Sequence, residues 1–448
     1  MSDKLSSLFS KHLNQLLSTI QPEKINSTPH LIVALSGGLD SVVLLHLLSQ
    51  YQQAGHDIKL SAHNINHGLS ENAESWAQFC ESICEQWQVN FIASQVIIEK
   101  KSRTSLEAVA RELRYQCLKK EMAPRDIVLT GHHQDDQLET LLLALKRGAG
   151  STGLQGIRSS QLFSEGYLLR PLLLFSRDAL MDYAHHYQLK WIEDESNQNI
   201  DFDRNFIRHH ISPLLKQRWP AMAQSASRSA QLCQEQQSLL DEVAEQDLAL
   251  CSSHHFEQQR LSINMPCKLT EARRNNVIRY WIKSHHVQYP SSKQLSTLWQ
   301  EVALAKEEKQ PKLQLQSVSI CRYQGHLYIV PNIDINLPPE PIQWAGEKIL
   351  WLVEDKLGVD FSNVTSSMRE HNVQCCLRSH LNAQLTCQPL GRNKPRSIKK
   401  LLHEYNVPTW LRDHVVFVFV DNQLVQAVGL WNCSGSEHIK MDLTLLKP

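Results

Sequence analysis

The chain has 448 residues and a mass of 51.4 kDa, which at roughly 150 residues per domain suggests two or three domains. Lys plus Arg and Asp plus Glu each total 46, so the net charge is zero; this excludes a protein that coats nucleic acid by global charge and leaves only a local basic patch open. With 42% hydrophobic residues, 21% charged, 16 Gly and 17 Pro, wholesale disorder and collagen-like or low-complexity chains are excluded.

From the N-terminus, MSDKLSSLFSKHLNQLLSTIQPEK repeats apolar residues at helical spacing and lacks the apolar core of a signal peptide. No run of 18 uninterrupted apolar residues occurs, so no membrane span is expected. Leu31–Leu35 reads as a strand, and Ser41–Gln50 as a helix repeating Val and Leu. Strands are expected at Ile58–Ala62, Asn90–Ile98 and Ile127–Thr130, and helices at Glu74–Gln86, Leu106–Lys120 and Asp136–Lys146. This alternation indicates βαβ units around a parallel sheet, an α/β fold over residues 1–215. Residues 216–333 are expected to form a mostly helical middle domain, with a long helix over 221–250 and further helix over 268–308. The Pro-rich run Leu337–Pro341 marks a linker, 334–344, and residues 345–448 read as a small α+β domain in which VVFVFV and QLVQAV flank the turn Asp421–Asn422. Eleven cysteines, an odd number without CxxC, point to reduced thiols and a cytoplasmic chain.

The sharpest motif is Ser36-Gly37-Gly38-Leu39-Asp40-Ser41, between an apolar strand and a helix. Two glycines permit a tight turn and close backbone approach. The free N–H groups and dipole of the following helix favour an anion, the two serines add hydroxyl donors, and Asp40 adds a carboxylate suited to Mg²⁺ on phosphates. No GxxxxGK[ST] occurs, so the loop is not a Walker A element. Gly148-Ala-Gly150-Ser-Thr-Gly153 matches GxGxxG but follows a helix, so no nicotinamide cofactor is expected.

Four further segments bear on chemistry. His63-Asn-Ile-Asn-His67-Gly68-Leu69 follows the second strand. Arg111 and Arg114, three apart on a helix, share a face that can neutralise pyrophosphate. Gly131-His132-His133-Gln134-Asp135-Asp136-Gln137-Leu138-Glu139-Thr140 opens a helix with Asp136 and Glu139 three apart, so both carboxylates can enter one cleft and serve Mg²⁺ or an amine. Asp203-Arg204-Asn205-Phe206-Ile207-Arg208 closes the domain. The paired histidines lack the ligand spacing of a zinc site, and no zinc is expected.

SGGLDS after a strand resembles the signature of the PP-loop ATP pyrophosphatases, which cut ATP between its α and β phosphates and adenylate their substrate. With the other segments, the chain resembles the tRNA(Ile)-lysidine synthetase family. The resemblance implies that Ser36, Gly37, Gly38, Leu39, Asp40, Ser41 and His63 bind ATP, with His132 near the nucleotide. It implies that Asp40 and Asp136 hold Mg²⁺, that Asp136 and Glu139 also face lysine, and that Arg111, Arg114, Arg204 and Arg208 face phosphate or RNA. Where many members of the family have Arg after His-Gly-Leu, this chain has Ser70.

GRNKPRSIKK at 391–400 carries five basic residues and no acid, and leads into LLHEYNVPTWLRDH. A similar pattern marks the tRNA-contacting C-terminal domain of that family, so Arg392, Lys394, Arg396, Lys399, Lys400, Trp410 and Arg412 are expected RNA contacts, with Arg273, Arg274 and Arg279 in the middle domain. The implied reaction is ATP-dependent ligation of free L-lysine to the 2-carbon of the cytidine at the first anticodon position of isoleucine tRNA with a CAU anticodon. It passes through an adenylated tRNA, releases AMP and pyrophosphate, and changes codon reading from AUG to AUA and charging from Met to Ile. The alternatives are another PP-loop enzyme such as a tRNA thiolase, or a non-catalytic RNA-binding protein. Cys80 and Cys84 lie on one helix face with Trp76 and read as core, so no iron–sulfur cluster is expected. A homodimer is left open.

Overall fold

The computed structural model describes residues 2–20, 28–66, 72–96, 106–264, 266–288, 290–306, 311–332, 336–364, 366–434 and 443–446. The chain divides into two compact units, Met1–Glu242 and Val243–Pro448.

The first unit is built on a six-stranded sheet. After α1 (Ser2–Ile20) come β1 (His30–Ala34), α2 (Leu39–Gln53), β2 (Lys59–Asn66), α3 (Ala73–Gln86), β3 (Asn90–Gln95), α4 (Leu106–Glu121), β4 (Ile127–Leu129) and α5 (Gln134–Lys146). The hairpin β5 (Ser160–Phe163) and β6 (Gly166–Leu169) and helix α6 (Arg177–His186) follow. The strand order is β3-β2-β1-β4-β6-β5, parallel throughout except for β5 against β6. Leu31, Ile32 and Val33 of β1 are all buried, as a strand covered on both faces requires. Helix α1 fills one layer with Leu5, Phe9, Leu13 and Leu16, the one-sided spacing of an amphipathic helix. Strands β2 and β4 flank β1, so the chain switches direction across β1 and opens a crevice at the carboxyl ends of the strands.

A clamp closes the opposite edge. His30, at the start of β1, meets Asp126 Oδ1 through Nδ1 at 3.1 Å and Ser61 Oγ on β2 through Nε2 at 2.8 Å. Asp126 also accepts the Ala123 N–H. The order copies a nucleophile–base–acid chain, but Ser61 is 1% exposed. No substrate can reach it, and its role is to tie three strand starts together.

The unit ends in α7 (Asp203–Phe206), a π-turn (Ile207–Ile211) and α8 (Ser212–Arg218), then α9 (Met222–Cys251). The second unit begins with α9's last turns. The long helix expected over 221–250 is present, and helix recurs at α10 (Glu271–Ser284) and α11 (Ser292–Thr297). Between and after them runs a five-stranded antiparallel sheet that sequence reading did not foresee: β7 (Ser252–His255), β8 (Gln258–Ser262), β9 (Lys312–Gln314), β10 (Val318–Tyr323) and β11 (His326–Pro331), in the order β7-β8-β11-β10-β9. Beyond it, Ile342–Gln343, Val373–Leu377, Val416–Val420, Gln423–Ala427 and Trp431–Asn432 form a second five-stranded sheet around Val418 and Leu377, which are fully buried. Cys387 and Cys433, 6.2 Å apart at Cα, are joined in a disulfide. This corrects the expectation of reduced thiols throughout: short antiparallel segments bring together two cysteines 46 residues apart.

His46 of α2 lies in a nest of Trp87, Tyr183 and Tyr187, with Nδ1 2.9 Å from the Tyr183 hydroxyl. Burial lowers its pKa from 6.5 to about 4. The unfolded chain therefore binds a proton here near pH 6.5 that the folded chain refuses until about 4, and stability falls as pH drops through that window. Denaturant titrations of the parent and His46→Phe at pH 7 and pH 5 check this: the parent should lose more stability on acidification than the variant, and equal losses would remove His46 from the account.

Candidate active site

The crevice is lined from two sides. Gly38 caps α2 from extended backbone, leaving the first-turn N–H groups without intrahelical partners. Ser36 Oγ lies 3.1 Å from Ser41 Oγ, which donates to the Gly38 carbonyl at 2.9 Å, so the hydroxyls brace the loop. Gly37 sits at φ +82°, and a Cβ there would lie 2.6 Å from Ile192 Cδ1. The Gly37 carbonyl accepts the Ile192 N–H at 2.9 Å, which fixes the segment after α6 over the loop.

The second side is the turn from β4 into α5. A Cβ on Gly131 would lie 2.9 Å from the backbone carbonyl carbon and oxygen of Asp40, so only glycine lets this turn touch the first turn of α2. His133 N-caps α5, accepting the Asp136 N–H at Nδ1 while Asp136 Oδ2 accepts the His133 N–H at 2.9 Å. This capping box starts α5 two residues before the expected Asp136. His133 Nε2 lies 3.5 Å from Asp40 Oδ2, so the imidazole, 1% exposed, stands between the carboxylates of the two motifs. Burial pulls its pKa down, but Asp136, Asp40 and Asp135 outweigh this and raise it above the usual imidazole value. Sequence reading assigned no role to His133; its signal was its place immediately before a helix start.

Asp136 and Glu139 share one cleft, and two arginines fill it. Arg204 donates from Nε to Glu139 Oε2 and from Nη2 to Asp136 Oδ1, both at 2.9 Å. Arg208 donates from Nε to Glu139 Oε1 at 2.7 Å and from Nη2 to Asp136 Oδ1 at 3.2 Å. Glu139 is 2% exposed and Asp136 7%. Burial would raise the Asp136 carboxyl, but His133, Arg204 and His132 outweigh it and hold it well below the usual carboxylate range. Arg204 and Arg208, expected to face phosphate or RNA, thus neutralise the carboxylates expected to meet metal and lysine. Asp135 is tied separately to Lys216 Nζ at 2.9 Å and to the Arg177 N–H at 2.8 Å.

One carboxylate oxygen of the cluster is different. Asp40 Oδ1 is buried and has no hydrogen-bond partner. Among the described residues, no group of three or more His, Cys, Asp or Glu side chains is placed to hold a metal ion. A single unpartnered carboxylate oxygen beside a glycine loop fits Mg²⁺, which commonly takes one or two carboxylates, substrate phosphates and waters; both oxygens of Asp136 already accept hydrogen bonds in this structure.

The other expected residues are scattered. His132 is half-buried, with Nδ1 2.8 Å from Thr130 Oγ1. His63, 2% exposed, bonds Ser94 Oγ at 2.9 Å, and burial, opposed by Glu121, lowers its pKa. Arg114 is exposed on α4, while His67 and the side chain of Arg111 lie outside the described residues. In the second unit, Lys394, Arg396, Lys399 and Lys400 are exposed. Arg392 pairs with Glu404 and lies over Tyr405; Arg412 donates to the Val407 carbonyl; and Trp410 packs edge-on to Tyr328 and donates to Gln258. Arg273 pairs with Asp247, Arg274 stacks 4.4 Å from the Trp299 ring centre, and Arg279 is half-buried.

Three family descriptions match: a PP-loop domain over residues 5–215, a TilS substrate binding domain over 268–328, and a TilS substrate C-terminal domain over 376–442. A tRNA(Ile)-lysidine synthase of Proteus mirabilis is 39% identical over 432 residues, spanning 94% of this chain and 96% of that protein. The synthase of Vibrio atlanticus is 38% identical over 445 residues, with the same two shares, and that of Escherichia coli O157:H7 is 39% identical over 408, covering 89% and 91%. Among solved structures, a U34-tRNA thiolase of Methanococcus maripaludis is 17% identical, with a TM-score of 0.42, over 51% of this chain and 80% of that one.

The charge quartet yields a direct expectation. Glu139→Gln keeps the volume but leaves Arg204 and Arg208 sharing Asp136 alone, and should cost about 3–5 kcal/mol of the first unit's stability by urea titration. A loss under about 0.5 kcal/mol would place the quartet with ordinary surface pairs.

Proposed function

The chain belongs to the tRNA(Ile)-lysidine synthase family, and from that membership we propose the reaction of its first unit: ATP-dependent formation of lysidine on isoleucine tRNA. The observation that carries the assignment to this crevice is the orphaned Asp40 Oδ1 beside the braced glycine loop. The crevice supplies the parts the reaction needs. The 2-carbonyl oxygen of the first anticodon cytidine attacks the α-phosphorus of ATP; the bond to the β-phosphate oxygen breaks and pyrophosphate leaves. The ε-amine of free L-lysine then attacks the cytidine 2-carbon and AMP departs with the former carbonyl oxygen. The α2 first-turn N–H groups would meet the triphosphate, with the Ser36 and Ser41 hydroxyls holding the loop in shape beneath it. Asp40 would hold Mg²⁺, which when bound offsets charge on phosphate oxygens. His133 keeps Asp40 aimed by standing between it and Asp136.

The amine must be neutral to attack, and the neighbouring arginines disfavour a further cation. Asp136 and Glu139 nonetheless offer an ammonium its approach, if one guanidinium gives way. A thiolase reading would need an activated sulfur near the loop. Cys80 lies beside Gly37, but burial, opposed by Asn64, pushes its thiol up to about 12, and burial does the same to Cys84, which makes both poor nucleophiles. No helix among the described residues is long and apolar enough to cross a membrane; the cytoplasm, which holds tRNA, ATP and lysine together, is the compartment this reaction calls for.

The test is AMP release from labelled ATP with unmodified isoleucine tRNA bearing a CAU anticodon, with and without lysine, and with methionine tRNA as control. Lysine incorporation into the isoleucine tRNA alone is expected. AMP release that ignores lysine or follows sulfide would overturn the reading. Asp40→Ala should lower turnover about 100- to 1,000-fold, in line with loss of a preorganised electrostatic group, while tRNA affinity stays within about threefold; parallel loss of tRNA binding would remove Asp40 from the chemistry.

A further inference from the structure

The motif that ends β2 promises His63 to the nucleotide, but the residue beside it is the one that grips the approach to the phosphate loop. Side chains alternate along a strand, so Asn64 turns to the face opposite His63. It is 6% exposed there, with Leu35 at 1% and Cys80 at 0% around it. Asn64 Nδ2 donates to the Leu35 carbonyl at 2.8 Å and to Cys80 Sγ at 3.6 Å. A carbonyl oxygen can only accept, so the amide nitrogen, and not the amide oxygen, must face Leu35. Leu35 in turn donates its own N–H to the His63 carbonyl at 2.9 Å.

Leu35 immediately precedes Ser36-Gly37-Gly38-Leu39-Asp40-Ser41. A trans peptide is planar, and its C=O and N–H point to opposite sides. Holding the Leu35 carbonyl on the buried side therefore turns the Ser36 N–H to the other side. Ser36 is exposed there, and no group among the described residues accepts its N–H. If this peptide turned over, a carbonyl dipole would take the place of an N–H donor and repel a phosphate. Glycines let neighbouring peptides rotate cheaply, so a loop with two of them needs its peptide planes fixed from outside. The Gly37–Gly38 peptide is fixed by a backbone group, the Ile192 N–H on the Gly37 carbonyl. The Leu35–Ser36 peptide is fixed by a side chain.

We propose that Asn64 is a positioning residue for the nucleotide: it fixes the Leu35–Ser36 peptide so that the Ser36 N–H joins the first-turn N–H groups of α2 in meeting the triphosphate. Asn64 itself touches no substrate. A donor aimed before the ligand arrives spares the cost of reorienting it. The proposal rests on the reading that this loop holds ATP, and not on what is made afterwards.

The test measures ATP affinity of the full chain by calorimetry without tRNA or lysine, then KM for ATP and kcat for AMP release with isoleucine tRNA. Asn64→Ala should weaken ATP binding and raise its KM about tenfold, the upper range of one net hydrogen bond, with tRNA affinity within about twofold. Asn64→His should return both to within about threefold of the parent, since an imidazole Nδ1–H donates from nearly the place of the amide nitrogen. Asn64→Asp keeps the shape but cannot donate while ionised. It should bind ATP about tenfold more weakly than the parent at pH 8 and approach the parent at pH 5.5, where a carboxyl raised by burial carries the proton it needs to donate. Cys80 stays out of this titration, because burial, opposed by Asn64, pushes its thiol up to about 12. Unchanged ATP affinity in Asn64→Ala, no rescue by histidine, an aspartate variant indifferent to pH, or tRNA affinity falling in step with ATP affinity would each overturn the proposal. Lysidine formation by the parent with ATP affinity unmoved in the variants would sink the positioning role alone. Loss of ATP affinity in Asn64→Ala, set beside a parent that forms no lysidine, would sink the reaction alone.

Discussion

Two carboxylates buried three residues apart on one helix cannot both stay ionised unless cations come to them. Asp136 and Glu139 are in that position, and the cations come from Arg204 and Arg208, more than 60 residues later in the chain. The pairing fixes where α7 and its π-turn lie against α5. A straight α-helix would place residues 204 and 208 on one side; here Arg208 stands in the π-turn itself, so the pairing spans α7 and the wider turn, and such turns are frequent at functional sites. Through Asp136 the same charges fix His133, through His133 they fix Asp40, and through Asp40 the phosphate loop.

The sheet divides labour between its two edges. At the amino ends of the strands, His30, Ser61 and Asp126 form a closed, saturated polar clamp. At the carboxyl ends, Asp40 Oδ1 is left without a hydrogen-bond partner. Buried unsatisfied oxygen is costly in the folded state, and it is tolerated where a ligand completes it. Rigidity at one edge makes such incompleteness affordable at the other.

Much of this was legible in the sequence where local chemistry dictates local structure. SGGLDS between an apolar run and a helix, and a histidine–acid turn opening α5, announced a phosphate loop and its facing wall. The elements of the first unit agree with the reading to within a few residues, apart from the β5–β6 hairpin, α6, α7 and α8, which the reading omitted. The sheet of the second unit was not legible, because its strands break the usual signal: β7 reads SSHH and β8 QQRLS, with too little apolar alternation to mark a buried face. The destinations of Arg204 and Arg208 were hidden for a different reason. Spacing shows that two arginines share a side of a helix, but not whether that side meets phosphate or a buried acid from a distant element. The Cys387–Cys433 bridge was equally out of reach, since connectivity cannot be deduced from cysteine positions alone.

The contact between Gly131 and the backbone of Asp40 has a consequence for how this protein can change over generations. Its backbone needs no special dihedral angle, so nothing but space forbids a side chain there. Every single-base change that alters the amino acid of a glycine codon introduces at least one carbon, and each would drive the two walls of the crevice apart. Position 131 is therefore a dead end for gradual variation: the lineage can drift freely across the exposed helices while this one residue keeps the two walls of the crevice at touching distance.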